Sequence, residues 1–211
     1  MAEEIAANPH FSDDAPGGIR IVDTNNDGSL TPEDRVALGT PYPDFTWGIT
    51  NTFQIKDFDI SFLIQGVQGI TVLNGDVYYN ETKKWNKKYT KNRWVSAEHP
   101  GDGKTPYQNV KTGHDLMLTD YPLQNASYAC LRNFTVGYTL PATAARKIKL
   151  SGVRFYVSGS NLLYIWGSGY KGINPESRMT SGNYSSAMIS GYQRGGFPLT
   201  STISAGFDIN F

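Results

Sequence analysis

The dominant pattern along the chain is an alternation of apolar and polar residues with a period of two, which predicts β-strands rather than helices. Five segments show this alternation, and in each of them the apolar residues share one face. The five apolar faces consist of Phe45, Trp47, Ile49, Phe53 and Ile55; Phe58, Ile60, Phe62 and Ile64; Phe134, Val136, Tyr138 and Leu140; Val153, Phe155 and Val157; and Ile203, Ala205, Phe207, Ile209 and Phe211. Residues 1–40 lack the pattern and are interpreted as a loop or a short helix.

The connections between these strands alternate between short and long. Only Lys56 and Asp57 separate the first two strands, and residues 142–151 join the third and the fourth. Residues 69–126 and 165–198, by contrast, form long connections rich in Gly, Asn, Ser, Tyr and Pro. Outer-membrane barrels place short turns on the periplasmic side and long loops outside. We therefore predict an all-β fold, an antiparallel transmembrane β-barrel segment with long extracellular loops.

The composition of the chain limits both the classes of partner and the kinds of membrane segment that it can have. The 211 residues carry 19 Lys+Arg and 19 Asp+Glu, so no cationic excess is available for nucleic acid, which we exclude as a partner. The longest apolar run is residues 162–166, far short of the roughly 20 residues that a membrane-spanning helix needs. A mean hydropathy of -0.40 is compatible with a barrel, because transmembrane strands need only about 9 to 11 alternating residues. The single cysteine, Cys130, is interpreted as a packing residue.

The segment from Asp23 to Asp34 has the residue spacing of a calcium-binding loop. Oxygen-bearing side chains occupy loop positions 1, 3 and 5, Gly28 occupies position 6, and a carboxylate occupies position 12. The predicted ligands are Asp23, Asn25, Asp27, Ser29, Thr31 and Asp34. Position 12 is Asp rather than Glu, and no helical pattern precedes the loop, so it is not a complete EF-hand. We expect a structural Ca²⁺ here, against the alternative of an Asx-rich surface turn that binds no ion; the identity of the cation stays open.

The last strand carries a second motif. Ser204, Gly206, Ile209 and Phe211 follow the order polar residue, glycine, apolar residue and terminal aromatic. This order resembles the β-signal that the barrel-assembly machinery reads. Physically, it describes an amphipathic strand with a free edge that can pair during insertion. The alternative is an ordinary terminal strand of a β-sandwich.

The first long connection combines aromatic side chains with cations. Trp85, Tyr89, Trp94 and Tyr107 are interleaved with several Lys and Arg residues. Aromatic faces beside hydrogen-bond donors suit stacking on sugars or docking of a partner protein, and they equally suit packing within a folded loop. We predict a contact with substrate or with a lid protein, with packing as the alternative.

No segment has the spacing of a catalytic site. The three histidines include no pair four residues apart, and the carboxylates show no recognisable spacing for acid–base work. The Ser-rich stretches lack a G-x-S-x-G elbow, and there is no phosphate loop. We therefore predict no catalytic residues, no organic cofactor and no enzyme activity.

Blocks of the sequence, taken in order from about residue 18 to the end, resemble the C-terminal part of the SusC/RagA family of TonB-linked outer-membrane proteins of Bacteroidetes. The blocks are DTNNDG (23–28), Gly39 with PDFTWG (43–48), KDFDISF (56–62), QGVQG (65–69), ASY (126–128), LRNFTVGYTLP (131–141), VRFYVSGSNL (153–162), GYKGINPE (169–176) and Phe211. Ala129 and Cys130 depart from the family pattern at a position to which we assign no function.

The resemblance implies the last five or so strands of a large TonB-dependent receptor barrel, located in the cell outer membrane. The family imports glycans or peptides. The implied partners are a SusD-like surface lipoprotein, TonB acting through a plug domain, the barrel-assembly machinery, outer-membrane lipid, and an oligosaccharide or peptide substrate. The family's signal peptide, TonB box and plug are absent from this sequence, and five strands cannot close a barrel of roughly 22. The chain alone is therefore not expected to transport.

These predictions divide the chain into an extracellular loop region, residues 1–42, and a C-terminal TonB-dependent receptor β-barrel region with its strands and loops, residues 43–211. The alternative function is a soluble extracellular β-sandwich, a carbohydrate-binding module that carries a calcium loop and uses Trp85 and Trp94 as stacking platforms. The two functions differ in one observable: a sandwich covers the apolar strand faces, whereas a barrel leaves them to lipid.

Overall fold

A computed structural model of the chain describes residues 2–77, 91–107, 119–167, 169–177, 191–194 and 196–211. Among the elements within these residues are the short α-helices α1 (Ala2–Ala6) and α2 (Ala142–Lys147) and a 3-10 helix (Pro32–Asp34). The strands are β1 (Phe45–Ile55), β2 (Phe58–Gln68), β3 (Thr71–Asn74), β4 (Leu123–Asn125), β5 (Tyr128–Thr139), β6 (Gly152–Trp166), β7 (Tyr192–Gln193) and β8 (Thr202–Asn210). Within the described residues, no helix is both long enough and apolar enough to cross a bilayer.

Contacts divide the chain into two units. The sheet unit comprises residues 42–70, 126–176 and 197–211, and the loop unit comprises residues 1–41, 71–125 and 177–196. The loop unit thus draws on both of the sequence ranges predicted above, 1–42 and 43–211. Segments far apart in the chain build each unit.

The sheet unit contains one antiparallel sheet with the strand order β1-β2-β5-β6-β8. The five alternating segments are confirmed as its strands, and Ile55 pairs with Phe58 across the two-residue turn. Lys56 in that turn has φ 54°, a left-handed conformation typical of tight hairpins. β5 begins at Tyr128, earlier than the alternation indicates, because a bulge between Leu131 and Asn133 breaks the period of two.

The apolar residues of this sheet share one face, and that face is exposed. The strand register aligns Ile55, Phe58, Tyr138, Phe155 and Phe207 in one row across all five strands. Phe58, Phe155 and Phe207 expose 48%, 50% and 63% of their surface. A water-soluble sandwich would cover such a row with a second sheet. The fold is therefore the predicted all-β barrel segment, and the five strands form an open sheet rather than a closed barrel.

The loop unit has a small sheet of its own, which the sequence analysis did not predict. Its strand order is β4-β3-β7, with β3 antiparallel to β4 and parallel to β7. Val72 and Val77 are buried, and the fully buried Asn74 donates through Nδ2 to Gln124 Oε1 at 3.0 Å. Strands of two to four residues are too short to show an alternation, which explains why they escaped prediction.

Candidate functional site

The sheet face opposite the apolar row carries an ion-pair cluster. Arg154 on β6 contacts Asp59 on β2 through two hydrogen bonds, from Nη2 to Oδ2 at 2.7 Å and from Nε to Oδ1 at 3.1 Å. Its Nη1 atom reaches Asp208 on β8 at 3.4 Å. A Cβ atom on Gly137 would lie only 2.3 Å from Asp59 Oδ1. The glycine therefore leaves the space in which the guanidinium spans β5 and ties three strands together.

A second cluster, centred on Arg132, lies where the β-bulge interrupts β5. The bulge leaves Arg132 outside the regular pairing with β2 and with β6. From there its guanidinium forms an ion pair with Glu176 and donates to Asn161 Oδ1 at 2.7 Å and to the Tyr164 hydroxyl at 2.9 Å. With its amide oxygen facing the guanidinium, Gln65 accepts from Arg132 Nη2 at 2.6 Å and from Nε at 3.0 Å.

Local backbone conformations bring the partners of Arg132 together. Asn161 has φ 55°, a left-handed conformation that asparagine tolerates, and it lies on β6 beside the bulge. Asn174 accepts the backbone N–H of Glu176 through Oδ1 at 2.9 Å, an Asx turn that fixes the acidic residue. Pro175 between them is fully buried. The Tyr164 hydroxyl also contacts Glu176 Oε1 at 3.2 Å.

The Arg132 cluster holds a loop against the sheet. The Arg132 guanidinium is paired with Glu176, Asn161 and Tyr164, so the arrangement fixes residues 174–176 to β5 and β6. The sequence analysis assigned no role to Arg132, Asn161 or Glu176, because 44 residues separate the two charged groups. A signal was present: each of the three lies inside a block that carried the family resemblance.

The four residues of the predicted assembly signal lie on or directly after the edge strand β8. In the described residues, β8 pairs with β6 alone, so its other edge is free. A Cβ atom on Gly206 would lie 2.5 Å from the Tyr156 hydroxyl, so the glycine accommodates this side chain. Ser204 pairs with Ser158 in the strand register, Ile209 is 40% exposed, and Phe211 is 94% exposed beyond the strand. The free edge of β8 is suited to hydrogen-bond with another strand. Recognition of this strand by the assembly machinery stays a prediction.

The predicted calcium loop is held together by its own side chains. Asp23 accepts the backbone N–H groups of Asp27 and Gly28 at 3.2 and 2.8 Å, and Asp27 accepts that of Ser29 at 2.8 Å. Asp34 is buried and accepts the N–H groups of Thr24 and Thr31, each at 2.8 Å.

Asp34 therefore closes the loop through backbone amides. The hydrogen bond from Thr31 lowers the pKa of the Asp34 carboxyl, burial opposes this, and the bonds from Thr24 add to the lowering. In the part of the chain that the structure describes, no three His, Cys, Asp or Glu side chains are grouped to hold a metal ion. The predicted set also includes an amide and two hydroxyl residues, and oxygen donors of this kind fit a hard cation such as Ca²⁺. Calcium binding stays a prediction.

Of the four predicted aromatic contact residues, the structure describes Trp94 and Tyr107, whereas Trp85 and Tyr89 lie outside the described residues. The Trp94 and Tyr107 rings meet edge to face, with their centres 6.3 Å apart. A Cβ atom on Gly17 would lie 2.2 Å from the Trp94 ring, so Gly17 packs directly on the indole. The Tyr107 N–H donates to the Gly17 carbonyl at 3.0 Å. The indole is thus part of the packing of the loop unit.

Comparisons with known proteins agree with this fold. No family model matches the chain. The chain is 30% identical to TonB-dependent receptor P26 of Formosa agariphila over 99% of its own length and 21% of that protein. It is 27% identical to TonB-dependent receptor SusC of Bacteroides thetaiotaomicron over 74% of its own length and 15% of that protein. It spans about a fifth of the first two relatives.

Solved structures share the fold of this chain. The chain superimposes on a structure of the RagAB peptide importer in its closed-closed state with a TM-score of 0.67, at 20% identity. The match covers 93% of this chain and 21% of that one. A second structure, of the RagAB peptide transporter, gives a TM-score of 0.64 over 82% of this chain. At these identities the neighbours establish the fold and nothing finer.

Proposed function

The chain is a segment of a SusC/RagA-type TonB-dependent receptor, and from this premise we propose that the complete protein imports a nutrient across the outer membrane. The observation that carries the proposal is the apolar row of the sheet unit, in which Tyr138 is half-buried and the other four members are exposed: Ile55, Phe58, Phe155 and Phe207. The polar face carries the ion pairs. A barrel with this arrangement has lipid outside and a polar interior.

The substrate class is an oligomeric nutrient, an oligosaccharide or a peptide. One structural neighbour is described as a peptide importer, which supports the peptide half of this proposal. The relatives are named as receptors and transporters rather than enzymes. We propose a SusD-like surface lipoprotein as the lid and TonB as the energy source, acting on parts of the protein outside this segment.

Cell fractionation tests the proposed location and the length of the complete protein. An antibody raised to residues 69–126 should detect a band in the outer-membrane fraction of source cells, at several times the 23.3 kDa mass of this segment. Uptake of labelled oligosaccharides and peptides by the same cells then identifies the substrate, and it should be lost when the gene is deleted. A water-soluble band near the mass of the segment would contradict the proposal and favour the carbohydrate-binding module.

We propose that residues 204–211 direct assembly of the barrel. Phe211 is almost fully exposed and follows a strand whose outer edge is free. Phe211→Ala in the full-length receptor should slow the appearance of folded, heat-modifiable barrel. The control is Phe197→Ala, which removes another exposed aromatic side chain outside the strands. Normal assembly of the Phe211 variant would show that the aromatic residue is incidental.

We propose that the loop formed by Asp23, Asn25, Asp27, Ser29, Thr31 and Asp34 binds Ca²⁺. Millimolar calcium outside the cell would saturate even a weak site of this type. Asp23→Ala with Asp27→Ala should abolish the calcium response in calorimetric titration, while Glu33→Ala, which removes an acid outside the ligand set, should retain it. An unchanged calcium titration of the double variant would contradict the assignment of this loop as a calcium site.

We propose that the aromatic segment containing Trp85, Tyr89, Trp94 and Tyr107 contacts substrate or the lid protein. Two of its members, Trp94 and Tyr107, already form an edge-to-face pair, which places two aromatic rings beside each other. Trp94→Phe keeps the packing against Gly17, and Trp94→Ala removes it. Loss of substrate or lid-protein binding in both variants supports a direct contact. Loss in the alanine variant alone would show that Trp94 acts only through packing.

A further inference from the structure

The connection between β5 and β6 concentrates positive charge. Arg146, Lys147 and Lys149 are exposed, and residues 140–153 contain neither Asp nor Glu. The ion pairs formed among the described residues involve other arginines, so these three cations remain uncompensated there. The part of this connection that carries the three cations, residues 146–149, is called the cationic turn below.

The backbone of the cationic turn is fixed at Ala145. Ala145 is fully buried, and its carbonyl accepts the N–H groups of Ile148 and Leu150, each at 3.1 Å. Lys149 has φ 59°, the left-handed conformation that ends a helix. Ile148 is therefore presented among the cations with 57% of its surface exposed. Cations at a helix C-terminus complement the helix dipole, but the dipole gives no reason for an exposed isoleucine.

The position of the cationic turn supplies the second argument. It belongs to the connection between Thr139, the last residue of β5, and Gly152, the first residue of β6, and both strands carry the apolar row. In outer-membrane barrels the short connections lie at the periplasmic interface. An exposed aliphatic side chain flanked by Lys and Arg at the edge of an apolar band is the pattern of a segment lying among lipid headgroups.

We propose that the cationic turn binds the headgroups of anionic phospholipids, with Ile148 entering the boundary between headgroups and acyl chains. The proposal rests on the proposed function, because it requires that β5 and β6 span a bilayer. The charge is complementary, since juxtamembrane Lys and Arg residues are attracted to an anionic leaflet. The bound lipid would anchor the periplasmic end of these two strands.

The test uses the full-length receptor in bilayer nanodiscs of phosphatidylethanolamine mixed with phosphatidylglycerol. Mass spectrometry of the lipid that stays with the protein after detergent exchange gives the enrichment of phosphatidylglycerol. The triple variant Arg146→Gln, Lys147→Gln and Lys149→Gln should lower this enrichment about threefold or more. The matched control removes three exposed cations of the loop unit, Arg35→Gln, Lys91→Gln and Lys104→Gln, and should leave it unchanged.

A fluorescence reporter tests the position of the turn independently. Ile148→Trp should be quenched by lipid carrying a spin label near the headgroup and should be insensitive to a quencher confined to water. Unchanged phosphatidylglycerol enrichment in the triple variant, or a water-quenched reporter, overturns the proposal. If the variant still migrates as a folded, heat-modifiable barrel, the proposed function survives that result. Failure of the unmodified receptor to enter nanodiscs would overturn both.

Discussion

The sheet unit exposes apolar side chains, whereas the loop unit buries polar ones. Most of the exposed large apolar residues belong to the sheet unit, including Phe58, Phe155 and Phe207. The buried polar side chains among the described residues all belong to the loop unit, and they are Asp34, Asn74, Thr105, Thr119, Gln124 and Gln193. The two units thus suit two different solvents. The exposed apolar surface of the sheet unit is stable against lipid, whereas the loop unit suits water, in which a buried polar side chain is stable when it is hydrogen-bonded.

The largest expected effect tests the partly buried ion pair of the sheet unit, between Arg132 and Glu176. Arg132→Ala should lower the free energy of unfolding of the full-length receptor by about 2 to 4 kcal/mol, because Glu176 keeps a partly buried charge without its counterion. Urea unfolding in lipid vesicles measures the change. The conservative variant Arg132→Lys should recover part of the loss. A change below about 0.5 kcal/mol would show that water replaces the arginine without cost.

The corresponding test in the loop unit removes its buried amide. Asn74→Ala leaves the buried Gln124 Oε1 atom without the hydrogen bond from Asn74, at an expected cost of about 1 to 3 kcal/mol. Hydrogen exchange should report faster opening of β3 and β4 with unchanged protection of β5 and β6. Asn92→Ala, at an exposed position of the same unit, is the control. Equal loss of protection in both units would show that they unfold together, which would contradict the distinction between the two units.

A smaller effect is expected where the sheet unit carries its exposed ion pairs. Gly137→Ala places a methyl group 2.3 Å from Asp59 Oδ1 and 2.6 Å from Arg154 Nη2. Both atoms end flexible side chains that are one-third exposed, so displacing the pair should cost about 1 kcal/mol or less. The thermal midpoint of the barrel measures it, with Gly152→Ala as the control because a Cβ atom there meets nothing closer than 3.4 Å. A large loss would indicate that the cluster contributes more than an exposed pair.

The smallest effect is a pH dependence confined to the loop unit. Backbone hydrogen bonds, above all from Thr31, hold the pKa of Asp34 below its ordinary value of 3.8. The unfolded chain therefore binds this proton more readily, so the stabilisation is complete above pH 3.8 and is lost as the pH falls through the lower folded value. The protection factors of the Thr24 and Thr31 amides, measured against the intrinsic exchange rate at each pH, should fall in acid, and Asp34→Asn should flatten that dependence. An identical acid profile in the variant would contradict the assignment.

The sequence predicts the sheet unit well, because strands of 9 to 15 residues repeat the period of two often enough to be recognised. It predicts the loop unit poorly. β7 has two residues, and its pairing with Leu73 and Asn74 joins segments more than 100 positions apart. The Arg132 cluster could not be predicted for the same reason, because only the folded chain brings Asn161 and Glu176 to the bulge in β5. The sequence blocks that resemble the family include these residues, but a resemblance does not predict which side chains contact each other.

The central claim is that the apolar row of the sheet unit faces lipid, and site-directed spin labelling tests it most directly. In a cysteine-free background, which within this segment requires only Cys130→Ser, labels are placed one at a time on β6 at positions 155, 156, 157 and 158 of the full-length receptor in vesicles. The account predicts that oxygen dissolved in lipid relaxes the labels at Phe155 and Val157, while a water-soluble nickel complex relaxes those at Tyr156 and Ser158. Loss of this alternation, or water access at Phe155 and Val157, would contradict it.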